Sequence, residues 1–146
     1  MKAVVIGCGR VGSAVAQELA SEGWNVTAVD ENEEALARLG TGWKGGFVVG
    51  HAMESEILVR AGIESADAAV VATSGDNTNI VVGQVIQKQY GISCVVVRVL
   101  DPRRAEFYGK RGLRTVCPTQ TAISCLVEEV RSCPVPPGSA AGAVQA

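Results

Sequence analysis

The chain has 146 residues, 47% hydrophobic and 19% charged, with 13 basic against 15 acidic side chains and a net charge of −2; that length supports one domain with a substantial core. The absence of a basic block and an aromatic content of 4% argue against nucleic-acid binding, which draws on clustered cations and stacking platforms. No apolar run reaches the ~20 residues of a membrane helix and the amino terminus runs straight into a strand pattern, so a cytoplasmic protein is expected. The five cysteines (8, 94, 117, 125 and 133) form no C-x-x-C and only one histidine is present, which argues against zinc and for buried free thiols in a reducing compartment.

Ala3–Ile6 is a short apolar run rich in β-branched residues, the pattern of a strand buried on both faces. Gly7, Gly9 and Gly12 follow as G-x-G-x-x-G, and Val11, Ala14, Val15 and Leu19 then recur at helical intervals. At such a strand-to-helix turn Gly7 permits the tight bend, Gly9 leaves the backbone open to a pyrophosphate, and Gly12 allows close helix packing. The unpaired N–H groups of the first helical turn supply an anion site. Arg10, at its mouth, either grips a phosphate or is solvated. Cys8 contributes mainly backbone, although a helix N-terminus lowers a thiol pKa and a redox role is the alternative.

Asn25–Val29 reads as a second strand ending in Asp30, 23 residues after Gly7. A carboxylate there accepts bonds from ribose hydroxyls, caps the short helix expected over Glu31–Leu39, or does both. Glu31 beside it, with no arginine close by, disfavours the extra 2′-phosphate of NADP. Gly40–Gly46 is a loop, Phe47–Gly50 a third strand, and Glu54–Ala61 a brief helix. His51 between them is a neutral loop residue or a contact to sugar or base rather than an acid–base catalyst.

Asp67–Thr73 is the next strand, broken by Ser74-Gly75-Asp76. Asn77–Tyr90 follows as a helix with Ile80, Val81, Val85 and Ile86 as its stripe, and Asp76 and Asn79 either start this helix or face a ligand. In the fifth strand, Cys94–Val99, Arg98 needs a partner, which is Asp101 or a bound phosphate. Asp101 and Pro102 open a helix to about Lys110. Leu113–Cys117 is a sixth strand. The last helix, Gln120–Ser132, offers Ile123, Leu126, Val127 and Val130 to a partner, and packing is expected for Cys125 and Cys133. The alternation predicts an α/β class, doubly wound Rossmann fold, six parallel strands in order 3-2-1-4-5-6 with helices on both faces. Residues 1–133 form the domain. Residues 134–146 are aperiodic and read as a disordered tail or the start of a severed linker.

The stretches VVIGCGRVGSAVAQELASEGWNVTAVDEN, VVGHAMESEILVRAGIESADAAVVATSGDNTNIVVGQ and VVVRVLDPRRAEFYGKRGLRTVCPT together resemble the regulatory nucleotide-binding domains of Trk/Ktr-type potassium transporters, the KTN or RCK N-terminal (TrkA-N) family. The resemblance runs from Met1 to about Arg131. It implies a cytosolic, non-enzymatic module that binds NAD(H) or ATP/ADP, forms homodimers or larger rings, and controls a membrane-embedded potassium-translocating subunit. The last helix crosses between subunits in such proteins.

Carried over residue by residue, the implied nucleotide contacts are Gly7, Cys8, Gly9, Arg10, Val11 and Gly12, Asp30 with Glu31, Ala52 with Met53, Thr73, Ser74 and Asn79, and Arg98. His51 and Met53 replace the Asp and Thr usual in the family, which bears on which nucleotide is preferred. The second domain of many relatives does not follow the last helix, as in a naturally short member or a cut chain. A dehydrogenase fragment, or a redox or nucleotide sensor unrelated to ion transport, is the alternative. The former lacks a Tyr-x-x-x-Lys pair and room for a substrate domain, and a DNA-binding repressor lacks a basic helix-turn-helix.

Overall fold

A computed structural model describes residues 1–134, built on one parallel sheet of six strands in the order β3-β2-β1-β4-β5-β6. The strands are β1 (Lys2–Ile6), β2 (Asn25–Asp30), β3 (Gly46–Val49), β4 (Ala68–Val71), β5 (Cys94–Arg98) and β6 (Arg114–Val116). The helices are α1 (Arg10–Ser21), α2 (Ser55–Arg60), α3 (Asp76–Gln89), α4 (Pro102–Gly109) and α5 (Pro118–Ser132), with 3-10 turns at Glu33–Leu39 and Ile63–Ser65. This is the doubly wound topology the sequence predicts. The tail expected over 134–146 lies, after its first residue, outside the described residues.

Period-two alternation in β1 splits the core. Val4 and Ile6 join Leu58, Ile63, Ile80, Ile86 and Val97 on one side of the sheet. Ala3 and Val5 join Val26, Ala28, Ala16, Ala35 and Leu39 on the other. Parallel strands covered on both faces need apolar residues at every position, and β1 is buried at four consecutive residues. Register then decides what gathers at the carboxyl edge. Ile6 pairs with Val29 and Val71, Asp30 with Val49, and Arg98 with Val116, so the turns after β1, β2, β3, β4 and β5 open on the same side.

Several local expectations are corrected. In α1 the fully buried residues are Gly12, Ser13 and Ala16, and of the expected stripe Val15 and Leu19 pack partly buried against the core while Val11 and Ala14 are exposed, because the start of the helix sits too near the glycine turn for larger side chains. Glu31–Leu39 is not a regular helix but a 3-10 turn beginning at Glu33. Its N-cap is Asn32, whose side chain accepts from Glu34 N, and Asp30 does not cap it. In α3, Val82 faces the core and Val81 is exposed. Asp101 does cap α4, accepting from the amides of Arg103 and Arg104 with Pro102 at the first position. α5 starts at Pro118 rather than Gln120, capped by the Cys117 sulfur. Of the cysteines only Cys8 is buried. Cys125 and Cys133 are exposed, against the expected packing, because no residue of α5 is buried against the domain.

Candidate functional site

A cavity of about 700 Å³ opens at the carboxyl edge, at the point between β1 and β4 where the strand order reverses direction. Open α/β sheets place ligands at this switch point because the helices on either side diverge there and leave a crevice. The glycine turn contributes Gly7, Gly9, Arg10 and Val11; the end of β2 contributes Asp30 and Glu31; the turn after β3 contributes Gly50, His51 and Ala52. Thr73, Ser74, Gly75 and Thr78 come from the β4–α3 junction, and Arg98 from β5.

Geometry explains the glycines. Gly7 has φ +90°, and a Cβ there would lie 2.7 Å from Thr73 N and 2.8 Å from the Ala72 carbonyl, so only glycine makes this turn. A Cβ on Gly12 would run into the Gly7 carbonyl oxygen, which fixes how closely α1 approaches. Around Gly9 nothing lies within 4 Å of an added Cβ, so the space above its backbone belongs to the cavity. Gly9 is the N-cap of α1 with no side-chain bond and no acidic residue in the first turn; the early amides of α1 therefore remain available to an anion. The N-terminus of α3, capped by Gly75, likewise has no side-chain cap.

Asp30 is a brace as well as a lining residue. Its Oδ2 accepts Cys8 N at 2.7 Å and its Oδ1 accepts Asn32 N at 2.9 Å. A carboxylate has about four lone-pair sites, so two bonds leave capacity directed to the cavity. Arg98 turns its Nη2 to the Thr73 carbonyl at 2.7 Å and leaves a buried Nε without a partner among the described residues. Of the two partners weighed for it, Asp101 does not pair with it: its Oδ1 caps α4, and no ion pair joins the two side chains among the described residues.

Asn79 is completely buried and does not line the cavity. Its Oδ1 accepts from Thr73 N at 2.9 Å and Thr73 Oγ1 at 2.6 Å, and its Nδ2 donates to the carbonyls of Thr73 and Arg98, each at 3.0 Å. With its donors and acceptor engaged, Asn79 locks the β4 and β5 turns together and neither starts α3 nor faces a ligand. Asp76 is the first residue of α3, as one of its two readings expects, but does not cap it; its carboxylate accepts the amides of Leu100 and Asp101.

Cys8, Gly12 and Met53 also stand off the lining, whereas the buried Ala52 is on it. Met53 is exposed, and its amide donates to His51 Nδ1 at 3.2 Å. The other ring nitrogen, Nε2, lies 3.9 Å from a Glu31 carboxylate oxygen. The redox alternative for Cys8 is corrected: burial, and secondarily the Asp30 charge, push the thiol up to about 11, so the reactive thiolate is suppressed.

Arg38 is the residue that sequence reasoning missed. It lines the cavity beside Asp30, with Nη1 3.5 Å from the Cys8 carbonyl. The expectation that no arginine stands near Asp30 is thereby overturned. Seven residues of 3-10 turn and its approach separate the two in sequence, and only the fold of that turn reveals the proximity. Among the described residues, no group of three or more His, Cys, Asp or Glu side chains is arranged to hold a metal, and no helix is long and apolar enough to cross a membrane.

Residues 3–118 match the family model described as the TrkA-N domain. A Streptomyces coelicolor protein named Trk system potassium uptake protein TrkA is 42% identical over 116 residues, which cover 80% of this chain and 52% of that protein. The chain thus spans about half the length of this relative. Among solved structures, the AMP-bound Shewanella denitrificans Kef CTD superposes with a TM-score of 0.76 at 21% identity, covering 90% of this chain and 80% of that one. A GsuK channel bound to NAD superposes with a TM-score of 0.76 at 22% identity, covering 89% of this chain and 23% of that one. At such identities these two structures establish the shared fold.

Proposed function

The chain belongs to the TrkA-N domain family, and on that premise we propose that it is a non-enzymatic regulatory domain of a potassium transport system, holding an adenosine nucleotide in the crevice between β1 and β4. The observation that carries this reading is the convergence of an uncapped helix N-terminus, a side-chain-free approach at Gly9, the Asp30 carboxylate and the half-buried Arg98 on one cavity. A nucleotide diphosphate presents two phosphates and a ribose diol, which those groups match in charge and donor–acceptor sense. NAD(H) and ATP/ADP share that portion, and fold relatives described with AMP and with NAD support the class.

Gly7, Gly9, Arg10, Val11, Asp30, Glu31, Ala52, Thr73, Ser74 and Arg98 are assigned to the nucleotide by their place in the lining. Cys8, Gly12 and Asn79 act behind it, by shaping the turns. α5 carries exposed Ile123, Leu126, Val127 and Val130 on one face, the spacing of an apolar stripe without a partner. It is assigned to a homodimer or a larger ring that meets the membrane-embedded translocating subunit from the cytoplasmic side. A ligand that contacts Arg10 and Arg98 differently in two subunit arrangements shifts their populations, which is the gating step.

Purified protein denatured and examined by mass spectrometry should release NAD(H), ATP, ADP or AMP. Calorimetry of the stripped protein with NAD, NADH, ATP and ADP should then rank them. An empty protein that binds none of the four refutes the nucleotide reading.

A further inference from the structure

We propose that Arg38 is a ligand-contacting residue that works with Asp30 to read the ribose 2′-hydroxyl of the bound nucleotide. The inference rests on the nucleotide reading above and deepens it. Arg38 leaves the end of the Glu33–Leu39 turn, where Gln17 Nε2 holds its own carbonyl at 3.1 Å, and lays its guanidinium into the cavity.

Its one hydrogen bond with the described residues is the long one to the Cys8 carbonyl, 3.5 Å, and it is in no ion pair among them despite the neighbouring Asp30 and Glu31. A guanidinium carries five N–H donors, so most remain to be used. Asp30 sits in the complementary state, each oxygen accepting one backbone amide and keeping a free lone pair.

A hydroxyl is the ligand group that satisfies both at once, donating its hydrogen to the carboxylate while its oxygen accepts from the guanidinium. Cys8 ties the pair together geometrically, since its amide is on Asp30 and its carbonyl faces Arg38. A cation held at that point by the backbone of the glycine turn meets the ribose end of the ligand, not the phosphates that the amides of α1 receive. Both groups bind the same hydroxyl, so each adds affinity for a ribose nucleotide and the pair together gives selectivity for ribose over 2′-deoxyribose.

Binding of ADP and 2′-deoxy-ADP to wild type and Arg38→Ala by calorimetry tests this, with Arg38→Met as a second variant that keeps the aliphatic stem should the first fold poorly. The expected result is a loss of roughly tenfold for ADP, the scale of one charge-assisted bond, and less than about twofold for 2′-deoxy-ADP. Equal losses for the two ligands place the guanidinium elsewhere on the nucleotide and overturn the inference. Unchanged ADP affinity with a lowered melting temperature makes Arg38 a brace for the Cys8 carbonyl and overturns it too. Failure of the wild-type protein to bind ADP overturns this inference and the nucleotide reading together, whereas the other two negative outcomes leave that reading standing.

Discussion

Replacing Asp30 by alanine separates the two jobs that one carboxylate performs. The buried amide of Cys8 would lose the acceptor that now lies 2.7 Å away, and an unsatisfied buried N–H costs about 1–3 kcal/mol. The exposed amide of Asn32, released from Oδ1 at 2.9 Å, turns to water at little cost. At a few degrees per kcal/mol for a domain of this size, the unliganded variant should melt roughly 3–10 °C lower. Nucleotide affinity should fall in addition by about 1.5–3 kcal/mol, roughly ten- to 150-fold in Kd, the value of a hydrogen bond to a charged group. Asp30→Asn separates the terms further, since its amide oxygen still accepts from Cys8 and should recover most of the stability while ribose binding stays weak. Thermal melts read the first effect and calorimetry with ADP or NAD reads the second. Unchanged affinity in a destabilised variant refutes the ribose role, and an unchanged melting temperature refutes the brace.

Asn79→Ala removes four buried hydrogen bonds at once and strands Thr73 N and the Arg98 carbonyl; urea unfolding should show a loss of roughly 3–5 kcal/mol, and a loss below about 1 kcal/mol would contradict the network. The Cys8 thiol is pushed up from 9.0 to about 11, so between pH 9 and 11 the folded chain holds a proton that the unfolded chain has lost, and stability falls as pH rises through that window by up to about 3 kcal/mol. Cys8→Ala lacks this group and should decline less steeply over the same window, whereas parallel urea-stability curves would show that the thiol is not responsible. If α5 mediates the proposed self-association, the wild-type protein should sediment as a dimer or larger and Leu126→Glu with Val130→Glu, on the exposed face of α5, should make it monomeric; a wild-type protein that is already monomeric removes the basis for assigning that face to self-association.

What was legible in the sequence was what is local. The Gly7–Gly12 spacing, the apolar runs of β1 and β4 and the Asp101-Pro102 start of α4 all encode their structure within a few residues, and each appears where expected. Asp30 was legible because a β-α-β unit has nearly fixed length. The α1 stripe held at Val15 and Leu19, which pack partly buried against the core, and failed at Val11 and Ala14, because the start of α1 approaches the glycine turn so closely that the fully buried positions go to Gly12, Ser13 and Ala16. Asn79 was misassigned for a related reason. A polar side chain one turn into a helix beside a ligand loop has the same sequence signature whether it points at ligand or backbone, and only the pairing of β4 with β5 brings the Arg98 carbonyl within its reach.

Arg38 and Asn79 mark the two ways in which the fold completes the crevice. Asn79 spends its hydrogen-bonding capacity on backbone and therefore fixes the positions of Thr73 and Arg98 whether or not ligand is present. Arg38, Arg98 and Arg10 line the cavity without an ion pair among the described residues, while Asp30 keeps lone pairs free. Of the three only Arg98 is half-buried, with its Nε unpartnered, while Arg10 and Arg38 are exposed; a charge half-removed from water and left unmatched, as at Arg98, raises the free energy of the empty state. Such an arrangement persists only because buried bonds around it hold the turns in place. An anionic ligand that reaches the unpartnered Nε of Arg98 relieves that cost on entry, and because Arg98 also holds the Thr73 carbonyl at 2.7 Å, the proposed nucleotide would act through it on the turns after β4 and β5.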